Sequence, residues 1–96
     1  MRVEVKGDEL YIDLPDRFTF AEYGKLKQIY ESYPASINYA LNFADTTYMD
    51  SSGLGALLSV RAHNKDGTCR LINCNKAILQ ILTIANFHMM FKINVK

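Results

Sequence analysis

The chain has 96 residues, of which 49% are hydrophobic and 22% charged, and its formal net charge is +1. That length admits one domain over residues 1–96 with one ordinary core, and the balance argues against disorder. Acids and bases are interspersed throughout, so the composition excludes the basic footprint of a nucleic-acid or anionic-membrane binder, and no run of about 18 apolar residues could span a bilayer.

The first segment reads as a hairpin. Val3 and Val5 alternate with Arg2, Glu4 and Lys6, and Leu10, Ile12 and Leu14 alternate with Tyr11 and Asp13. A half-buried strand has this period of two because successive side chains point to opposite faces. Such a start is no signal peptide, and a cytoplasmic location is expected. Gly7-Asp8 separates the runs, and glycine at the first turn position suits a type II′ turn. Pro15, which cannot donate to a ladder, ends the second strand.

A helix is expected next. Thr19 and Glu22 have the spacing of a capping box, and Phe18 and Tyr23 that of a hydrophobic staple. Tyr23, Leu26, Tyr30 and Tyr33 recur at helical spacing as one buried stripe, and Pro34 stops the helix. Ile37 to Phe43 follows as a strand with Ile37, Tyr39, Leu41 and Phe43 on one face. On the other, among Asn38, Ala40, Asn42 and Ala44, the small alanines could admit a closely packed helix. The polar connection Asp45 to Asp50 leads into a second helix from Ser51, which presents Leu54, Leu57, Leu58 and Ala62 on one side. Gly67 suits a left-handed cap at its end.

Cys69 to Asn73 reads as a short strand with Cys74 just after it. The C-x4-C spacing of the two cysteines matches no common zinc or redox pattern, and both are expected to be reduced. Asn75 suits the N-cap of a third helix carrying Ile78, Leu79, Ile81, Leu82 and Ala85, and Asn86 suits its C-terminal cap. Phe91 to Val95 has the branching of an edge strand. The order β-β-α-β-α-β-α-β implies parallel pairing through right-handed crossovers after the opening hairpin, hence an α/β fold on a mixed sheet.

One stretch is out of character for a scaffold: Tyr48-Met49-Asp50-Ser51-Ser52-Gly53-Leu54-Gly55. A glycine in a helix costs about 1 kcal/mol against alanine, so Gly53 and Gly55 need a reason, such as the close approach of a neighbour. Asp50 or Ser51 can cap the helix, and a helix start is also where a phosphate on Ser51 would find free amides and the positive end of the dipole. The two roles are compatible.

Met49 to Gly55 resembles the signature of STAS domains, most closely that of bacterial anti-sigma-factor antagonists, and the order of elements fits nearly the whole chain. The resemblance implies a STAS fold and a phosphorylated serine at Ser51. Asp50, Ser51, Ser52, Gly53 and Leu54 would form the partner-binding surface. It implies as partners an anti-sigma factor that is a serine kinase, bound when Ser51 is unmodified, and a serine phosphatase that resets the switch. No cofactor, catalytic residue or metal ligand follows from it. Two departures stand out. Leu14-Pro15-Asp16 stands where the family often has a glycine, and the sequence stops without the C-terminal helix of many members, which would leave sheet surface for a homodimer or docked partner.

Two other readings compete. A STAS subunit of a larger assembly, such as a lipid-transport ABC complex, would dock constitutively without phosphorylation. An enzyme would need a base beside Ser51 or Ser52. His63 is about 18 Å away along the helix axis, and nothing in the sequence brings His88 to the motif. Asp45 and Asp50 match no cation-loop signature.

Overall fold

The computed structural model describes residues 1–96. Strands β1 (Arg2–Lys6) and β2 (Glu9–Asp13) form the expected hairpin, with Lys6 paired to Glu9 across Gly7-Asp8. Gly7 has φ +62° while Asp8 stays at negative φ, as a II′ turn requires. A two-residue strand β3 (Arg17–Phe18) and a 3-10 turn (Phe20–Glu22) precede α1 (Tyr23–Glu31). Then come β4 (Asn38–Asn42), a second two-residue strand β5 (Tyr48–Met49) and α2 (Ser51–His63). The chain continues through β6 (Cys69–Cys74), α3 (Lys76–Ile84), a 3-10 turn (Phe87–Met89) and β7 (Lys92–Val95).

The main sheet has the order β1-β2-β4-β6-β7, antiparallel at the hairpin and parallel elsewhere, which is the mixed α/β sheet expected from the element order. Each helix links strands that step the same way across the sheet, so right-handed crossovers bring all three to one face. There Leu10, Ile12, Tyr39, Leu41 and Leu71 of the sheet form one core with Leu26, Tyr30, Leu57, Val60, Ile78 and Leu82 of the helices.

The other face carries no helix, contrary to the role proposed for its alanines. Ala40 is fully buried, but its register neighbours are Tyr11 and Arg70. The Arg70 guanidinium reaches across it to Glu9, at 2.7 and 2.8 Å, and to the Tyr11 hydroxyl at 3.2 Å. Alanine leaves room for an arginine lying flat over the central strand.

Several local expectations are corrected. Thr19 makes no side-chain cap, because a 3-10 turn comes first and the Glu22 amide bonds the Thr19 carbonyl instead. Glu22 faces Lys25 at 3.6 Å. In the tyrosine stripe only Leu26 and Tyr30 are buried; Tyr23 and Tyr33 are partly exposed. Helix α2 buries Gly53, Ala56, Leu57 and Val60, while Leu58 and Ala62 face solvent. Its apolar residues lie all round the helix, so their pattern does not fix the buried side, and of the expected face only Leu57 is buried and Leu54 partly so. Gly67 is not left-handed. It is needed because a Cβ there would strike the Ile37 carbonyl oxygen, where the loop into β6 crosses the start of β4. Cys74 lies within β6, after a bulge at Asn73 with φ +58°. Asn75 caps α3 through the Ile78 amide at 2.9 Å, and Asn86 takes φ +61° after the helix, both as expected.

Candidate functional site

The sequence places Asp50 to Leu54 where the chain leaves the carboxyl end of β4 and turns into α2. What positions the turn is the ribbon of β3 and β5, in which Arg17 pairs with Tyr48 and Phe18 with Met49. The Thr47 and Tyr48 amides both donate to the Asp16 carbonyl, at 2.9 and 3.2 Å, and the Thr47 hydroxyl bonds the Asp16 carboxylate. Buried Thr46 donates through its hydroxyl to the Pro15 carbonyl at 2.9 Å, and its own carbonyl accepts from Asn75 at 3.0 Å. Pro15 therefore sits in the scaffold of the site, with a carbonyl that its missing amide leaves unaffected.

Asp50 has extended backbone, and its Oδ1 accepts from the Gly53 amide at 2.9 Å. The cap is Asp50 and not Ser51. Ser51 is the first helical residue and is exposed; Ser52 is half-buried. The amides of a first helical turn have no partner inside the helix, and the dipole leaves positive charge there. A group on the Ser51 oxygen would stand in that field without displacing the Asp50 cap.

The two glycines have different reasons. A Cβ on Gly53 would lie 2.6 Å from both Met49 Cγ and the Phe18 carbonyl oxygen, so Gly53 lets α2 press against the ribbon. A Cβ on Gly55 would meet nothing within 4 Å. Gly55 instead floors a shallow groove beside Ser52, lined also by Phe20, Tyr23, Ala56 and Ser59. Phe20 is 74% exposed, a large apolar side chain in open solvent. The Tyr23 hydroxyl donates to Ser59 Oγ at 3.5 Å, and this neighbour holds the Tyr23 phenol below its ordinary pKa.

Sequence reasoning missed Phe20, Tyr23, Ser59 and the ribbon. Two-residue strands have no period to detect, and Tyr23 read as core. The one available signal was Gly53, whose close neighbour is the ribbon. The histidines lie elsewhere: His63 Nε2 is bonded to the Tyr33 carbonyl at 2.8 Å at the far end of α2, and His88 is exposed on a 3-10 turn. Both cysteines are free and buried, and burial raises the Cys69 thiol to about 12 and that of Cys74 to about 11. No helix is long and apolar enough to cross a membrane.

The family model for the STAS domain matches residues 4–96. A STAS-domain containing protein of Pseudomonas aeruginosa (strain UCBPP-PA14) is 35% identical over 91 residues, covering 92% of this chain and 90% of the relative. Among solved structures, an anti-sigma-factor antagonist (STAS) domain protein from Planctomyces limnophilus superposes with a TM-score of 0.85 at 12% identity, over 99% of this chain and 89% of that one. The Bacillus cell fate determinant SpoIIAA in its phosphorylated form superposes with a TM-score of 0.68 at 16% identity, over 96% of this chain and 88% of that one. At such identities the two structures establish the fold.

Proposed function

The chain belongs to the STAS domain family, and within it we propose that it acts as an anti-sigma-factor antagonist switched by phosphorylation of Ser51. Fold alone does not choose a function, so the reading rests on the site. The observation that carries it is the division of labour between neighbours: Asp50 caps α2, and Ser51 is exposed on the first turn with no part in the cap. That SpoIIAA is known in a phosphorylated form supports the same chemistry in a protein of this fold.

In this reading the unmodified surface of Asp50, Ser51, Ser52, Gly53 and Leu54 docks on an anti-sigma factor of the serine-kinase type, and sigma factor is released. Transfer of a phosphoryl group to the Ser51 oxygen adds about −1.5 to −2 charges at the centre of the contact. With Asp50 adjacent, that charge repels acids on the partner. Burying it without a cation to receive it costs several kcal/mol, enough to dissolve a micromolar complex. A serine phosphatase restores the bound state.

The test is to incubate the protein, Ser51→Ala and Ser51→Asp with a candidate anti-sigma kinase and ATP, reading phosphate by intact mass and binding by calorimetry. Phosphate mapped to Ser51, with binding kept by Ser51→Ala and lost by Ser51→Asp, is expected. No phosphate, with equal binding by all three, would replace the switch with constitutive docking in a larger assembly.

A further inference from the structure

Strand β1 is one edge of the main sheet, and all five of its residues are exposed. A two-residue hairpin closes on a hydrogen-bonded pair, here Lys6 and Glu9, and such pairs alternate along an antiparallel ladder. Arg2, Glu4 and Lys6 therefore turn their backbone groups toward β2, while Val3 and Val5 turn theirs outward. No loop or turn of the chain bonds those outward groups. The opposite edge differs, because β7 pairs with β6 through a register shift that interrupts its row of donors and acceptors. β1 has no shift against β2 and contains no proline.

The side chains of β1 divide by face. Val3 and Val5 stand opposite Ile12 and Leu10 on the helical side, 38% and 66% exposed, and Val3 borders a groove with Ile29 and Tyr33. Arg2, Glu4 and Lys6 lie on the bare side and alternate in sign. Within the chain Arg2 and Lys6 approach Glu4 only to 3.8 and 4.0 Å. Charges of one sign along an edge repel a second copy of the strand, but alternating charges can match one.

We propose that β1 pairs antiparallel with β1 of a second copy of this chain, centred on Val3, joining two five-stranded sheets into one. Charge and strand length select that centre. Centring on Arg2, Glu4 or Lys6 sets that residue against its own charge, and with Glu4 it also sets Arg2 against Lys6. Centring on Val5 asks Val3 to bond Gly7, whose φ of +62° has already turned the chain away. Centring on Val3 places Arg2 against Glu4 of the second copy twice, in the non-hydrogen-bonded pairs where side chains stand closest. On the helical side it sets Val3 against Val3 and Val5 against Met1, covering apolar surface that the monomer exposes. The pairing is two-fold and closed, so it stops at a dimer. The strands of the two sheets run opposite ways, so their Ser51 surfaces stay open at opposite ends, and the dimer is independent of the phosphorylation reading.

The experiment is sedimentation velocity of the full chain from about 10 µM to about 1 mM, with Arg2→Glu, Glu4→Arg and an equimolar mixture of the two. The parent is expected to dimerise reversibly with a Kd of about 100 µM, the weak end of specific association for a small interface. Each variant alone sets two like-charged pairs across the two-fold axis and should dimerise about tenfold more weakly. In the mixture both cross-strand pairs become opposite in charge, so the parent's affinity should return as a heterodimer. Recovery on mixing cannot come from misfolded variants, and it distinguishes the Val3 register from one centred on Val5, in which Glu4 would face Lys6. A parent that stays monomeric throughout, single variants that dimerise as the parent does, or a mixture no tighter than its components would each overturn the proposal.

Discussion

A serine that is to be modified in the folded protein must be reachable and must not hold the fold together. Asp50 and Ser51 divide those duties: the carboxylate oxygen satisfies the Gly53 amide at 2.9 Å, and the hydroxyl stays outside the cap. Asp50→Ala should therefore lower stability by about 1 kcal/mol, the usual cost of an N-cap. Ser51→Ala should change it by less than about 0.5 kcal/mol, as exposed substitutions do. Urea unfolding of the two variants beside the parent measures both. An equal loss in Ser51→Ala would make the serine the cap.

At the scale of the element, α2 carries two glycines with opposite consequences. Gly53 is pressed against β3 and β5, so Gly53→Ala must push the helix off the ribbon and should cost about 1–3 kcal/mol, the range of overpacking. Gly55 has open space where its Cβ would be, so Gly55→Ala should recover helix propensity and stabilise by about 0.5–1 kcal/mol. Thermal unfolding of both variants should show melting points moving in opposite directions. A loss in both would mean that the Gly55 groove is packed in solution. The same helix shows how a face is chosen. Gly53 and Ala56 are small enough to bring its axis close to the neighbouring elements, and Leu57 and Val60 follow them inward. Leu58, as apolar as Leu57, stays 40% exposed.

Across the whole molecule the sheet has a helical, apolar side and a bare, polar side. The bare side is tied together by Glu9 and Arg70, which belong to β2 and β6 and meet over the central strand β4. The hydrogen bond from Arg70, reinforced by its charge, holds the Glu9 carboxyl below its ordinary pKa despite partial burial. A carboxyl depressed in the folded state contributes stability that is complete above the unfolded value of about 4.3. That contribution disappears as pH falls through the lower folded value. Glu9→Gln should thus cost about 1–2 kcal/mol at neutral pH, the low end for charge-assisted bonds because the pair is partly exposed. The gap from the parent should close below about pH 4. Urea unfolding at neutral and acid pH checks this, and a gap independent of pH would assign the loss to packing.

What the sequence determined by itself is whatever depends on neighbours close along the chain. The alternation of Val3 to Leu14, the Gly7 turn, the Asn75 cap and the order of helices and strands were legible because strand period, turn geometry and capping act over a few residues. So was the motif from Asp50 to Gly55, through its unusual pair of glycines and its resemblance to a known signature. The capping box at Thr19 misled because its spacing is local while the 3-10 turn that displaced it is set by how the chain enters α1. Tertiary structure alone decided the ribbon of β3 and β5, the buried face of α2, the reason for Gly67, and the meeting of Glu9 with Arg70 over β4. Each of these joins residues far apart in the chain, so its energy comes from packing and charge between segments that only the assembled sheet brings together.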